Sequence, residues 1–137
     1  MKTSELIQST ATDSDLERLK LLPCAVEYFD TLLRQITLEP DQEFSMVHLG
    51  SGDGFLAHMM LKRFPHAQAT LIDRDEKCLE LSRKRLSAFV DQVTWLHQDF
   101  ARIDPPGKHE LIVAMQSVHH LNDIDKRALY RTLYSRV

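Results

Sequence analysis

From residue 44 onward the apolar positions switch repeatedly between a short-run pattern and a helical one. Phe44, Met46, Val47 and Leu49 form a compact apolar run that predicts a strand at 44–49. A helical pattern follows over 54–64. Ala69, Leu71 and Ile72 predict a second strand at 69–73. Asp75 is placed to cap a helix from 76 to about 89, with Leu79, Leu81, Leu86 and Phe89 as its apolar positions. Val93-Thr94-Trp95-Leu96 reads as a short strand. Asp104-Pro105-Pro106-Gly107 reads as a loop, because paired prolines and a glycine break both regular structures. Leu111 to Met115 is an almost unbroken apolar run, the signature of a parallel strand buried on both faces. Asn122 or Asp123 then caps a last helix with Ala128, Leu129, Thr132 and Leu133 inward. Alternation of strand and helix defines an α/β class with a parallel sheet. Right-handed crossovers make that sheet doubly wound, place the first strand centrally and put a ligand at the carboxyl ends of the strands.

The N-terminal third carries a weaker pattern. Residues 1–12 are polar with little periodicity and predict a mobile tail. A helix starts at Asp13 or Ser14, with Glu17 three residues after Ser14 as in a capping box. Pro23 fits the first turn of a second helix, which runs to about Ile36. Val26, Phe29, Leu32, Leu33 and Ile36 make its apolar stripe. Glu39-Pro40-Asp41-Gln42 is a linker. The chain therefore divides into a tail and helices over 1–42 and an α/β unit over 43–137.

Composition adds mainly exclusions. The 137 residues suit one domain with a real core. A net charge of −3 suggests neither a general nucleic-acid binder nor a membrane-surface binder. A local basic patch stays compatible with that charge, so nucleic acid is disfavoured as a partner without being ruled out. The first fifteen residues contain no apolar leader segment, and no apolar run approaches the ~20 residues of a membrane span. Cys24 and Cys78 have no metal-type spacing and read as reduced, buried thiols of a cytoplasmic protein.

The chemistry concentrates at Gly50-Ser51-Gly52-Asp53-Gly54, where three of the four glycines fall within five residues. Glycine tolerates positive φ and close backbone approach, so this spacing marks a tight turn with a ligand lying on it. The helix that follows offers unpaired N–H groups to a polar or acidic ligand. A dinucleotide frame, G-x-G-x-x-G/A, would put Phe55 at its third position, and Phe55 is too bulky for it.

The observed G-x-G-x-G resembles the first motif of the class I S-adenosylmethionine-dependent methyltransferases, acidic-x-Gly-x-Gly-x-Gly. Further elements match in order. Asp73, 23 residues after Gly50, resembles the acid that holds the ribose hydroxyls; a carboxylate can accept two hydrogen bonds from a cis-diol. Asp99 and Phe100, in His97-Gln98-Asp99-Phe100, resemble the adenine contact after the third strand. Residues 111–137 resemble the fourth strand and its following helix. The Leu22-Pro23-Cys24 segment resembles a bacterial subgroup whose leading helix covers the cofactor.

The resemblance implies a Rossmann-like sheet in the order 3-2-1-4 and S-adenosyl-L-methionine as cofactor, with S-adenosyl-L-homocysteine as product. It implies His48, Gly50, Ser51, Gly52, Gly54, Asp73, Arg74, Asp99, Phe100 and Gln116 as the cofactor-binding set. The acceptor implied is a small molecule. His48 stands where the family has an acid; imidazole can donate or accept one bond there but supplies no fixed negative charge when neutral. The family sheet has seven strands and this chain ends at Val137, so the expectation is a piece of a longer protein or a sheet edge covered by a second copy.

The remaining polar residues are less telling. His119 and His120 have no third ligand at metal spacing, so no metal is expected. His119 is a candidate general base, or a group packed on the last helix. Gln116 and Ser117 follow the fourth strand, where cofactor and substrate meet in this fold. Arg83-Lys84-Arg85 reads as a solvated face and Trp95 as core. Methyl transfer needs alignment more than a catalytic set, consistent with a legible cofactor turn and no legible catalytic group. The alternative is a cofactor-binding or regulatory module without catalysis.

Overall fold

The computed structural model describes residues 2–21, 24–99, 107–114, 123–135 and 137. Expectations for Pro23, Phe100, the 104–106 loop, Met115, Gln116, Ser117, His119 and His120 lie outside these residues. Among the described residues four parallel strands form one sheet: β1 (Phe44–Leu49), β2 (Ala67–Asp73), β3 (Val93–His97) and β4 (Leu111–Ala114). Their order is β3-β2-β1-β4, as the resemblance implied. In register, Leu49 pairs with Ile72 and with Ala114, and Asp73 pairs with His97. The carboxyl ends of all four strands therefore finish along one edge.

Among the described residues six α-helices flank the sheet: α1 (Thr3–Thr10), α2 (Asp13–Leu19), α3 (Ala25–Arg34), α4 (Phe55–Arg63), α5 (Glu76–Arg85) and α6 (Asp123–Tyr134). Alternation along β1 splits its side chains between two cores. Phe44 and Met46 join Leu6, Ile7, Phe29, Leu33, Met60 and Phe64 on the face covered by α1, α3 and α4. Val47 and Leu49 join Ile72 and Leu129 of α6 on the other. Helices on both faces are what a doubly wound sheet requires.

Several local expectations are corrected. Residues 3–10 are a helix rather than a mobile tail, because Leu6 and Ile7 are buried in the main core. The next helix is capped by Thr12, not by Ser14. The Thr12 hydroxyl accepts from the Asp15 N–H, and the Asp15 carboxylate accepts from the Thr12 N–H. β2 begins two residues early, at Ala67. The helix expected to reach 89 ends at Arg85 and continues as a 3-10 turn, Ser87–Gln92, since Leu86 and Phe89 leave helical angles. In α5 the inward stripe is Leu79, Ser82 and Leu86, so Leu81 lies on the far side and is exposed. Ala128 is exposed beside the inward Leu129 for the same reason. Val26 is exposed, one turn before the buried Phe29 and beyond the reach of the core. In β4 only Val113 is buried among the described residues, because β4 has a described neighbour, β1, on one side alone. Cys24 and Cys78 are free thiols, but Cys24 is exposed and Cys78 half-buried.

Candidate functional site

The glycine turn is fixed from below by β2. As β1 ends, the Gly50 and Ser51 N–H groups both donate to the Ile72 carbonyl, at 2.8 and 3.1 Å. The Gly52 N–H donates to Asp73 Oδ2 at 2.8 Å. The other carboxylate oxygen, Oδ1, accepts from the Asp75 N–H at 2.8 Å. One aspartate thus joins the glycine turn to the start of α5. Asp75 caps that helix as expected, accepting from the Lys77 N–H.

Gly50, Gly52 and Gly54 all hold positive φ, at 64°, 59° and 85°. Gly54 also needs its missing side chain for packing: a Cβ there would lie 2.6 Å from Ser82 Oγ on α5. At Gly52 a Cβ would meet nothing within 4 Å, so the backbone is open on that side. Ser82 is itself held by Trp95, whose indole N–H donates to its hydroxyl at 3.0 Å. Trp95 packs against the core, as expected.

A paired set of charges fastens α2 over this turn. Asp15 is 2% exposed and takes a bidentate grip from Arg85, at 2.8 and 2.9 Å. Arg85 also reaches the Asp53 carbonyl at 3.2 Å and its carboxylate at 3.3 Å. Arg18 bonds Asp53 at 2.7 Å and pairs with Asp15. Burial acts to raise the Asp15 pKa, but bonds from Arg85, the Thr12 backbone and Arg18 outweigh it and hold the carboxyl far below its ordinary value. Arg85 is 14% exposed, so it is not part of the solvated face read from the sequence. None of Asp15, Arg18, Asp53 and Arg85 is expected from the sequence as a site residue. Asp53 was the one accessible signal, as a charge inside a glycine turn.

Between α2 and the turn lies a cavity of about 470 Å³. Leu19, Leu21, Phe29 and Phe55 form apolar walls, and His48 and Ser51 lie against its base. Phe29 and Phe55 meet edge to face at 5.8 Å, and Arg85 lies over Phe55. His48 is 4% exposed. Burial pushes its pKa down to about 4 against the opposing charge of Asp73, so the imidazole is neutral at neutral pH. His48 Nδ1 and Ser51 Oγ are both buried with no hydrogen-bond partner among the described residues. A larger groove of about 760 Å³ lies among the N-terminal helices, but it touches no residue of the glycine turn.

The remaining expected residues that are described, Arg74 and Asp99, sit on the same edge. Arg74 is exposed, and its carbonyl lies 2.9 Å from His97 Nε2. The Gln98 N–H donates to the Asp73 carbonyl at 3.1 Å, which keeps the exposed Asp99 beside the end of β2. Among the described residues no cluster of three or more His, Cys, Asp or Glu could hold a metal ion.

Residues 46–137 match a family described as a methyltransferase domain, and the chain belongs to that family. Over 95 residues it is 25% identical to a malonyl-[acyl-carrier protein] O-methyltransferase of Priestia megaterium, covering 68% of this chain and 34% of that one. Over 52 residues it is 40% identical to a ribosomal RNA small subunit methyltransferase H of Kocuria rhizophila, covering 38% of this chain and 16% of that one. The chain spans about a third or less of these curated relatives. The fold is also that of the N-methyltransferase NodS from Bradyrhizobium japonicum, solved with S-adenosyl-L-homocysteine. There the TM-score is 0.73 at 20% identity, over all of this chain and 68% of that one.

Proposed function

We propose that this chain is the cofactor-binding part of an S-adenosyl-L-methionine-dependent methyltransferase acting on a small-molecule acceptor. The observation that carries the reading is the pairing of the open Gly52 backbone with Asp73, on a strand edge of methyltransferase topology. The residues present suit the cofactor. Each Asp73 oxygen accepts one backbone N–H, and a carboxylate oxygen has room for a second donor, so ribose hydroxyls could still be taken. Gly50, Ser51, Gly52 and Gly54 would bring the backbone against the ligand, with Arg74 beside the ribose. Asp99 and Phe100 would take the adenine, and His48 and Gln116 the amino-acid end.

When bound, the cofactor supplies a methyl group made electrophilic by its sulfonium. The chain's own work is to orient and to exclude water: the turn fixes one end, and α2 closes the apolar cavity over it. His119 would serve as base for an acceptor that must lose a proton. Two free thiols suit a reducing compartment and a cytoplasmic protein. The outer edge of β4 would pair with a further strand of a longer protein or with a second copy; sedimentation of a stable monomer with that edge solvated would sink both arrangements.

Calorimetry tests the cofactor directly. S-adenosyl-L-homocysteine should bind and NAD should not, and Asp73→Ala should weaken the former by ~1–3 kcal/mol through lost charge-assisted hydrogen bonds. Unchanged affinity would remove Asp73 from the site. A second reading, cofactor binding without catalysis, is favoured by the neutral His48. Methyl incorporation from labelled donor into any of a panel of small acceptors would exclude it.

A further inference from the structure

A cavity of about 510 Å³ lies away from the glycine turn, where three helices meet. Lys2 and Ser4 at the start of α1, Asp30 and Arg34 of α3, and Arg63 at the end of α4 line it. It shares no lining residue with the cavity under α2. The nine residues of α4, about 13 Å of helix, separate Arg63 from the turn. Three cations thus face one anion, in a chain whose net charge is −3. The anion is already satisfied: one Asp30 oxygen accepts from the Thr3 hydroxyl and the other from Arg34 Nε, both at 2.6 Å. Glu5 of α1 accepts from the Lys2 backbone N–H at 3.0 Å and does not line the cavity. Lys2 and Arg63 make no ion pair among the described residues, and Arg63 Nε is buried there without a hydrogen-bond partner.

Buried donors normally find an acceptor, and like charges repel unless an anion comes between them. Arg34 and Arg63 stand in the last turns of their helices, where a cation offsets the helix dipole. That role alone would not bring both to one cavity with Lys2. We propose that this cavity binds a phosphate group, gripped by the Arg63 guanidinium and flanked by Lys2 and Arg34. The charge count selects the ligand. Three cations against Asp30 leave an excess of two positive charges, and a phosphate monoester carries about −1.5 to −2 at neutral pH. A carboxylate or chloride would leave half of that excess unmatched. The donors fit as well. A guanidinium is a planar fork that can take two phosphate oxygens, and the Phe64 ring, 5.7 Å from its central carbon, helps to orient it. Arg34 uses only Nε on Asp30, so its Nη groups can turn to the ligand, and the Ser4 hydroxyl adds a donor at the rim. The site is separate from the cofactor turn and does not rest on the cofactor reading.

The test titrates inorganic phosphate into the purified chain by calorimetry at fixed ionic strength, with chloride as the control. Wild type should show saturable binding of phosphate alone. Arg63→Gln should weaken it about tenfold, the scale of one lost charge-assisted hydrogen bond. Arg63→Lys keeps the charge without the fork and should recover only part of the loss. Lys2→Gln, at an exposed position, should weaken binding about threefold, which keeps the test decisive if Arg63→Gln does not fold. Asp30→Asn removes the opposing charge, keeps an acceptor and should tighten binding about threefold. Glycerol 3-phosphate distinguishes the sources: tighter binding than inorganic phosphate means that the group arrives on an organic molecule, and weaker binding means a free ion. No saturable binding above the chloride control overturns the proposal. So does an affinity unchanged both in folded Arg63→Gln and in Lys2→Gln. S-adenosyl-L-homocysteine affinity, measured beside it, should stay within about twofold in these variants, because none touches the glycine turn. A chain that binds phosphate and no S-adenosyl-L-homocysteine would remove the cofactor reading and leave this site standing.

Discussion

Gly52 and Gly54 share a left-handed conformation and differ in what a side chain would meet. At Gly54 an added Cβ collides with Ser82, which is pinned by Trp95. Gly54→Ala should therefore destabilise the fold by ~2–4 kcal/mol, combining the left-handed penalty with overpacking. Gly52→Ala meets open space and should lower stability by only ~1–2 kcal/mol. Its methyl group would project where a ligand must approach, so nucleoside binding should fall more than stability does. Urea unfolding beside calorimetry separates the two, and equal effects on both readouts in both variants would contradict the division. The spacing of the glycines made the turn legible, because positive φ leaves a compositional mark. Asp73 was legible for its place at a strand end. Its two bonds to backbone N–H groups were not, because main-chain donors leave no trace in the sequence.

At the scale of elements, the sheet and its crossovers were readable because parallel strands and their helices each impose a period. The N-terminal helices were read less well. α1 has too few apolar residues for a stripe, and its order comes from Leu6 and Ile7 entering a core built by α3 and α4. Leu6→Ala should cost ~2–5 kcal/mol in urea unfolding, where a mobile tail would show no change. The docking of α2 was invisible because Asp15 and Arg85 lie 70 residues apart. Their pairing is buried, so Arg85→Ala leaves the Asp15 carboxylate with only the exposed Arg18 and the Thr12 N–H as partners and should destabilise by up to ~3–5 kcal/mol. Arg18 is 59% exposed, and Arg18→Ala should cost at most ~1 kcal/mol. If the two arginines prove equivalent, α2 is not held as described.

For the whole molecule, the buried titratable groups divide the response to acid into two stages. His48 and His58 are both held down to about 4, mainly by burial, with Lys62 and Arg85 adding to the effect at His58. Their folded values lie below the ordinary 6.5, so between about pH 6.5 and 4 the unfolded chain takes up protons that the folded chain refuses. Stability falls through that window and the histidine share levels off below it. Asp15 works in the next window. Its folded value is depressed, so its contribution is complete above the ordinary 3.8 and is lost as the pH falls below that. Asp30, held down by the Thr3 hydroxyl and Arg34, and Glu110, held down by the Ser45 backbone N–H, act in the same direction. Urea midpoints across a pH series should show both stages. Replacing His48 with Asn and His58 with Gln should flatten the upper stage and leave the lower one. Asp15→Asn should do the reverse, at a lower stability throughout because Arg85 loses its bidentate partner and keeps only Asp53. An upper stage that persists in the double histidine variant would mean that groups other than these two buried histidines carry it, and that burial of His48 and His58 does not set the response of the fold to mild acid.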